Sequence, residues 1–175
     1  MICRGDPKAP FGAIHTRRKE QVAHRAVLEL ARIAYNGTQP STGPRLSGTA
    51  SVVALPGGGF EATLAFAPGA GGKLVLHDTD NCTGCCANDS FIISLCANAS
   101  GAPPPRHRSC TPAVTGSMAV SGGGRSAGSL TARFPELLGG GVPKAALFMG
   151  TDYPQCAVFA EESLLPAGPA LLPVA

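Results

Sequence analysis

The chain has no tryptophan and only two tyrosines among its 175 residues. Proteins that hold single-stranded nucleic acid stack its bases on aromatic rings, so this chain is poorly equipped for that role. Charged residues are scarce too, at 14%, against about 25% in an average soluble protein. Residues 1–35 hold seven Lys/Arg and three Asp/Glu, whereas residues 36–175 hold seven and eight. Because this larger part is near neutral, it carries no basic face, and we predict no nucleic-acid partner.

The sequence also lacks long hydrophobic runs. No apolar stretch approaches the length of about 20 residues that a membrane-spanning helix needs, so we predict no membrane span. The opening stretch MICRGDPKAPFGAIHTRRKE has no apolar core of about 7–15 residues, which a secretory signal peptide would contain. A secreted protein would therefore need a start upstream of Met1, or a leader that has been removed.

Asparagine is rare, and every copy lies in the same motif. The four asparagines each begin an N-x-[ST] sequon with no proline at x, namely Asn36, Asn81, Asn88 and Asn98. Such a motif is the acceptor for N-linked glycans in secreted proteins. The seven cysteines agree, because disulfides persist in oxidising compartments. We therefore expect an extracellular or cell-surface glycoprotein carrying N-linked glycans.

Periodicity divides the chain into three parts. Residues 16–35 predict a basic amphipathic helix with Val22, Ala26, Leu30 and Ile33 on one stripe, ended by Asn36-Gly37. With its linker, this helix forms an N-terminal extension, residues 1–45, which we expect either to cover one end of the following domain or to dock on a partner or an anionic surface. Residues 46–165 read as short strands separated by Gly/Pro turns. Residues 166–175 read as a Pro-rich tail that is either unstructured or a short edge piece.

The strands predict the fold class. Eight apolar segments of 46–165 alternate with turn signals such as the PGGG before Phe60. Seven to eight short antiparallel strands preceded by one N-terminal helix indicate an all-β Greek-key sandwich or barrel.

Four cysteines crowd into the stretch NCTGCCANDSFIISLCANAS, residues 81–100. A redox dithiol at Cys82-x-x-Cys85 should follow a strand and open a helix, which this stretch does not do. Zinc would need a second pair at matching spacing. Structural disulfides are favoured, with Cys96 joined to Cys110 across the loop GAPPPRHR. Cys82 then pairs with Cys3 or stays free, and the odd seventh thiol suggests a disulfide-linked oligomer.

The next candidate site is His77-Asp78-x-Asp80. It fits a remnant metal site or a weak Ca²⁺ loop, with His107 as a further ligand, since carboxylate oxygens bind hard cations. The favoured interpretation is a polar strand end where aspartate caps a turn. No G-x-S-x-G motif or other nucleophile pattern is present, so no catalytic residue is assigned.

Three longer stretches resemble Cu,Zn superoxide dismutases. FEATLAFAPGAGGKLVLHDTDNCTGCC resembles the segment through the copper strand to the loop cysteine, and GSMAVSGGGRSAGSLTARFPELL resembles the late hairpin. AALFMGTDYPQCAVFA resembles the last copper-ligand strand and the closing strand. Extracellular Greek-key domains of the chordin-repeat type share much of this pattern. The resemblance spans about residues 46–160 and implies a Greek-key sandwich with a disulfide from Cys85 or Cys86 to Cys156.

The departures from that family decide the expected activity. The H-x-H pair becomes Val75-Leu76-His77, and Met149 or Gly150 stands where the last copper histidine would be. A copper or zinc site needs about three or four ligands held together. We therefore expect a non-catalytic structural, adhesion or binding module without a cofactor, whose partners are extracellular proteins or matrix. The alternative is a divergent dismutase-like domain holding copper or zinc.

Overall fold

The computed structural model describes residues 19–68, 72–76, 92–97, 110–123, 127–148, 158–161, 167 and 170–175. In that part of the chain, one helix is followed by ten strands. They are α1 (Lys19–Tyr35), β1 (Leu46–Ala54), β2 (Phe60–Phe66), β3 (Leu74–Leu76), β4 (Ile93–Cys96), β5 (Thr111–Pro112), β6 (Ala119–Gly122), β7 (Gly128–Phe134), β8 (Ala145–Phe148), β9 (Val158–Ala160) and β10 (Ala170–Pro173). The all-β prediction is confirmed.

The strands form two antiparallel sheets of four and one small pair. The first sheet has the order β1-β2-β7-β6 and the second the order β10-β8-β4-β5, while β3 pairs with β9. The chain moves from the first sheet to the second after β2, returns for β6 and β7, and moves back for β8. Such alternation between two sheets is typical of Greek-key sandwiches.

The core lies between the two sheets. Along β2 and β7 every second side chain is buried, which is the period-2 pattern of a sheet with one face in a core. The buried residues of these strands include Leu64 and Leu130, and the second sheet contributes Ile93 and Leu95. Phe66 of the first sheet meets Phe148 of the second edge-to-face, with ring centroids 6.0 Å apart, a favoured geometry for aromatic pairs.

The two inner strands of the second sheet, β4 and β8, are buried on both faces. All four residues of β4 and all four of β8 are buried. Ile93, Leu95, Ala146 and Phe148 belong to the central core, whereas Cys96, Ala145 and Leu147 form a second cluster with Cys110. A strand buried on both faces reads as a continuous apolar run, and SFIISLC and KAALF read that way.

The helix ends at the predicted residue pair. Asn36 has a φ of 54°, and the Gly37 amide donates to the Ala31 carbonyl at 2.9 Å. This bond reaches back six residues and closes the end of the helix, and the left-handed residue before Gly37 is an asparagine, which tolerates that conformation better than most residues. The stripe of α1 nevertheless faces solvent, because Leu30 is 56% and Ile33 67% exposed. The expected cover over one end of the sandwich would have buried those side chains.

The C-terminal residues join the sandwich as an edge strand, the second of the two arrangements expected for them. β10 pairs antiparallel with β8. Just beyond it, Val174 forms a parallel bridge with Ala50 of β1, and the Ala175 amide donates to the Ala50 carbonyl at 3.0 Å. The end of the described chain therefore links the first sheet to the second.

Each of the eight predicted segments contains a strand. The two further strands, β5 and β10, raise the number above the seven or eight expected. β5 has only two residues, one of them Pro112, so local sequence could not indicate it. The PGGG turn before β2 is confirmed, with the Leu55 amide donating to the Gly59 carbonyl at 3.1 Å.

Candidate functional site

Most of the residues predicted for metal binding and disulfides lie outside the described part of the chain. These residues are His77, Asp78, Asp80, His107, Cys82, Cys85, Cys86 and Cys156, together with three of the sequon asparagines, Asn81, Asn88 and Asn98. Within the described ranges, no group of three or more His, Cys, Asp or Glu side chains comes together in a way that could hold a metal ion. The predicted metal site therefore stays a prediction.

The Cys96–Cys110 disulfide is present. Both cysteines are 2% exposed and pack with Ala145 and Leu147 on the outer side of the second sheet. The Thr111 hydroxyl next to Cys110 accepts a hydrogen bond of 2.7 Å from the Leu138 amide. The Cys96–Cys110 disulfide thus ties the edge strand β5 to the inner strand β4. Neither cysteine is left as a free thiol.

Asn36 is the one sequon asparagine in the described part of the chain. It is exposed at the end of α1, so its side-chain amide is accessible to a modifying enzyme. Its backbone conformation is the left-handed one required by the helix cap.

The outer side of the first sheet presents a face rich in hydroxyl groups. We call it the hydroxyl face and define it by the outward side chains Ser51, Thr63, Ser121, Ser129 and Thr131. Strand register brings them together, since Thr63 pairs with both Ser51 and Thr131, and Ser129 pairs with Ser121. Strands lie about 4.8 Å apart and same-face residues about 7 Å apart along a strand, so the hydroxyls form a regular array.

Hydrogen bonds within this array hold several side chains in place. The Ser121 and Ser129 hydroxyl oxygens share a hydrogen bond of 2.9 Å, and those of Thr63 and Thr131 lie 3.4 Å apart. Ser51 and Ser121 are exposed, and Thr63, Ser129 and Thr131 are half-buried. Each hydroxyl has one donor and two acceptor positions, so capacity for an external ligand remains.

The hydroxyl face is close to neutral. Its charged neighbours Glu61 and Arg133 lie side by side on β2 and β7, with Arg133 Nε 3.3 Å from Glu61 Oε2. The two charges offset each other, and the pair is exposed enough that solvent screens it. The face therefore favours uncharged polar ligands over ions.

A second surface feature is the ion pair on α1. The Arg32 guanidinium donates to the Glu29 carboxylate, which also accepts a hydrogen bond from Ser41. These two interactions lower the pKa of Glu29 to about 2, and the hydrogen bond with Arg32 has the larger effect. The Ser41 interaction joins the linker after the helix to α1.

Sequence reasoning did not identify the hydroxyl face as a site. The signal was present in FEATLAF and GSLTARF, whose outward positions carry threonine, serine and one ion pair. Alternation predicts only that such positions face solvent. Their assembly into one surface depends on the pairing of β2 with β7, whose residues are distant in sequence.

Comparison with solved structures shows a likeness of fold. No protein-family model matches the chain, and no curated protein matches it. Its structure is similar to the crystal structure of a novel carbohydrate acetylesterase from Xanthomonas citri, with a TM-score of 0.55 and 22% sequence identity. The likeness covers 98% of this chain and 31% of that chain. The chain thus spans about a third of that protein's length, and the likeness shows the fold.

Proposed function

We propose that the chain is a non-catalytic binding module of a secreted or cell-surface protein, and that its ligand is a neutral matrix polysaccharide. The observation that carries this proposal is the hydroxyl face. A regular array of hydroxyls both donates and accepts hydrogen bonds, as the hydroxyls of a sugar polymer do. The Glu61–Arg133 pair leaves the surface without net charge, so an uncharged polymer fits it better than an acidic one.

The shape of the face supports a polymer rather than a small molecule. Small ligands bind in concave pockets that bury most of their surface, whereas the hydroxyl face is the outer side of a four-stranded sheet. An extended chain can lie across such a surface and contact several hydroxyls at once. The fold likeness to part of a carbohydrate acetylesterase agrees with a module that accompanies carbohydrate chemistry.

The expected affinity is low. A typical hydrogen bond contributes about 0.5–1.5 kcal/mol net, and association itself costs at least about 4 kcal/mol. Five hydroxyls without stacking aromatic rings then supply at most about 7.5 kcal/mol before that cost, so a short oligosaccharide should bind with a Kd of several millimolar or weaker. Repeated sites along a polymer raise the apparent affinity through effective concentration.

Retention on insoluble neutral polysaccharides such as cellulose, chitin and β-glucan tests this proposal. We expect the wild-type chain to be retained, and the double variant Thr63→Val/Thr131→Val, which removes two hydroxyls at nearly constant shape, to lose most of that retention. Thr115→Val is the matched control, because Thr115 is exposed in the turn after β5 and is not one of the five residues of the hydroxyl face. Equal retention of the double variant would exclude the hydroxyl face. Failure of the wild type on every neutral polymer would overturn the ligand class.

Three features support an extracellular location. The Cys96–Cys110 disulfide is typical of oxidising compartments. All four asparagines are in sequons, and Asn36 is exposed. Extracellular proteins are further partners in this proposal, through the remaining surface or through the odd cysteine.

Intact mass of the chain expressed in eukaryotic cells with a secretion leader tests the location and the metal alternative together. We expect a heterogeneous mass that falls on deglycosylation, about six cysteines protected from alkylation, and no copper or zinc adduct under native conditions. An unglycosylated chain with most thiols free and one bound metal would support the dismutase-like alternative. It would direct attention to His77 and the Cys82–Cys86 cluster.

A further inference from the structure

The Asn36–Gly37 pair that ends α1 places two groups with a known mutual reactivity next to each other. The Asn36 side chain is exposed, and its φ is 54°. In an Asn-Gly pair the side-chain amide carbon is open to attack by the next backbone nitrogen, since glycine has no Cβ to hinder the approach. The other three asparagines are followed by Cys82, Asp89 and Ala99, whose side chains hinder the same attack.

The closed end of the helix keeps the attacking nitrogen out of this reaction. The Gly37 N–H donates to the Ala31 carbonyl at 2.9 Å, so the nitrogen keeps its proton while that bond lasts. A Cβ built at Gly37 would lie 3.2 Å from the carbonyl carbon and oxygen of Ala31, which shows how closely the chain folds back there. Reaction at Asn36 therefore requires the last turn of α1 to open.

That opening costs little, because the rest of the protein gives α1 little support. The described helix makes no extensive contact with any strand of the sandwich, and none of residues 23–35 is buried. Most helical stability in proteins comes from packing of a buried face, which this helix lacks. Helix ends with few buried contacts open with free energies near zero, so the Gly37 nitrogen is released often.

We propose that Asn36 is a deamidation site, converted without an enzyme when the end of α1 opens. The Gly37 nitrogen bonds to the Asn36 side-chain carbon Cγ, and the Cγ–Nδ2 bond breaks. The proton that the Gly37 nitrogen gives up passes through solvent to the departing nitrogen, which leaves as ammonia. Water then opens the five-membered ring at either of its carbonyls and leaves aspartate or isoaspartate. Water is the co-reactant, and no atom is oxidised or reduced.

The product alters both features that meet at Asn36. A carboxylate at the C-terminal end of a helix is unfavourable, because the helix dipole is negative there. Isoaspartate also adds a methylene to the main chain, which disrupts the bond from Gly37 to Ala31. Conversion destroys the sequon as well, since the glycan acceptor is asparagine. In a secreted chain, deamidation would therefore compete with N-glycosylation for the same side chain.

Peptide mapping by mass spectrometry of the unglycosylated full chain, with an isoaspartate-specific methyltransferase, measures the conversion. In urea, where only the local sequence matters, we expect Asn36 to convert at least tenfold faster than Asn81, Asn88 or Asn98. In the folded chain, the rate at Asn36 should lie within about tenfold of its rate in urea, and it should rise with pH. Conversion in urea no faster than at the other three, or no conversion in the folded chain, would overturn the proposal.

Variants separate the opening of the helix from the attack. Ala34→Gly loosens the last turn at an exposed position and should speed conversion about twofold or more in the folded chain, but not in urea. Ala119→Gly, the same change at an exposed residue of β6, is the matched control and should leave the rate unchanged. Gly37→Ala crowds Ala31 and so also loosens the helix end, yet it should slow conversion at least tenfold, because its Cβ hinders the nitrogen.

Two outcomes of these variants would contradict the mechanism. Faster conversion in Gly37→Ala would mean that the Gly37 nitrogen is not the attacking group. Equal folded-chain rates in Ala34→Gly and the wild type would mean that opening of the helix end does not control the reaction. The assay uses a chain without glycans, so its result is independent of whether the protein is secreted or binds a polysaccharide.

Discussion

Gly128, the first residue of β7, lies where Leu74 of β3 crosses the first sheet. A Cβ added at Gly128 would overlap the Leu74 side chain, with Leu74 Cδ1 and Cγ as its nearest neighbours. Leu74 is 8% exposed and belongs to the core, so it has little room to move. Glycine is therefore required here by close packing and not by an unusual backbone angle.

We expect Gly128→Ala to lower the free energy of unfolding by about 1–3 kcal/mol, the usual cost of overpacking a core. Urea denaturation followed by circular dichroism measures it. Gly57→Ala is the control, because a Cβ at Gly57 meets nothing within 4 Å and the change should be close to neutral. A stable Gly128→Ala would show that Leu74 moves freely and that β3 is loosely attached.

Glu29 shows how a surface residue can carry a pH-dependent contact. Its pKa is lowered from 4.5 to about 2, first by Arg32 and then by Ser41. Because the folded pKa is below the unfolded one, the stabilising contact is complete above pH 4.5 and is lost as the pH falls toward 2. NMR titration of the Glu29 carboxylate should give a midpoint near 2, and Arg32→Gln should move it upward. An unchanged midpoint in that variant would assign the lowered pKa to Ser41.

At the scale of elements, the strands that could be predicted are those whose own sequence alternates between apolar and polar residues. FEATLAF and GSLTARF alternate cleanly, and both are central strands of the first sheet. β5 and β10 are short and contain proline, and they exist because β4 and β8 offer them partners. The helix and its Asn36 cap were predictable from periodicity and capping. The orientation of the helix was not predictable, because an apolar stripe in the sequence does not show whether that side of the helix will face the rest of the protein.

The disulfide stabilises the second sheet because it joins strand β4 to the start of strand β5. Cys96 and Cys110 are 14 residues apart, and closing a loop of that size stabilises a domain by about 3 kcal/mol in the chain-entropy model. We expect Cys96→Ala/Cys110→Ala to lose about 2–4 kcal/mol of unfolding free energy, measured by urea titration. Both sulfurs are buried, so mild reductant should not mimic the double variant until the protein unfolds. Rapid native-state reduction would contradict this.

At the scale of the whole molecule, the sandwich depends on contact between its first and last strands. β1 begins the first sheet at Leu46, and β10 ends the second at Pro173. The bridge between Ala50 and Val174 joins the two sheets, and Ala50 is fully buried beside it. The C-terminal stretch is therefore part of the folding unit and not an appendage to it.

Leu171 and Leu172 on β10 provide a matched test of that role, because neighbouring residues of a strand point to opposite faces. Leu172 is 8% exposed and belongs to the central core, whereas Leu171 is half-buried against the outer cluster of the second sheet. We expect Leu172→Ala to cost about 2–4 kcal/mol, and Leu171→Ala clearly less, in the same urea titration. Deleting residues 170–175 should cost more than either, since it also removes the pairing with β8 and the bridge to β1. If the deletion left the unfolding free energy unchanged, the sandwich would be complete without β10, and the closure between its sheets would have to come from other residues.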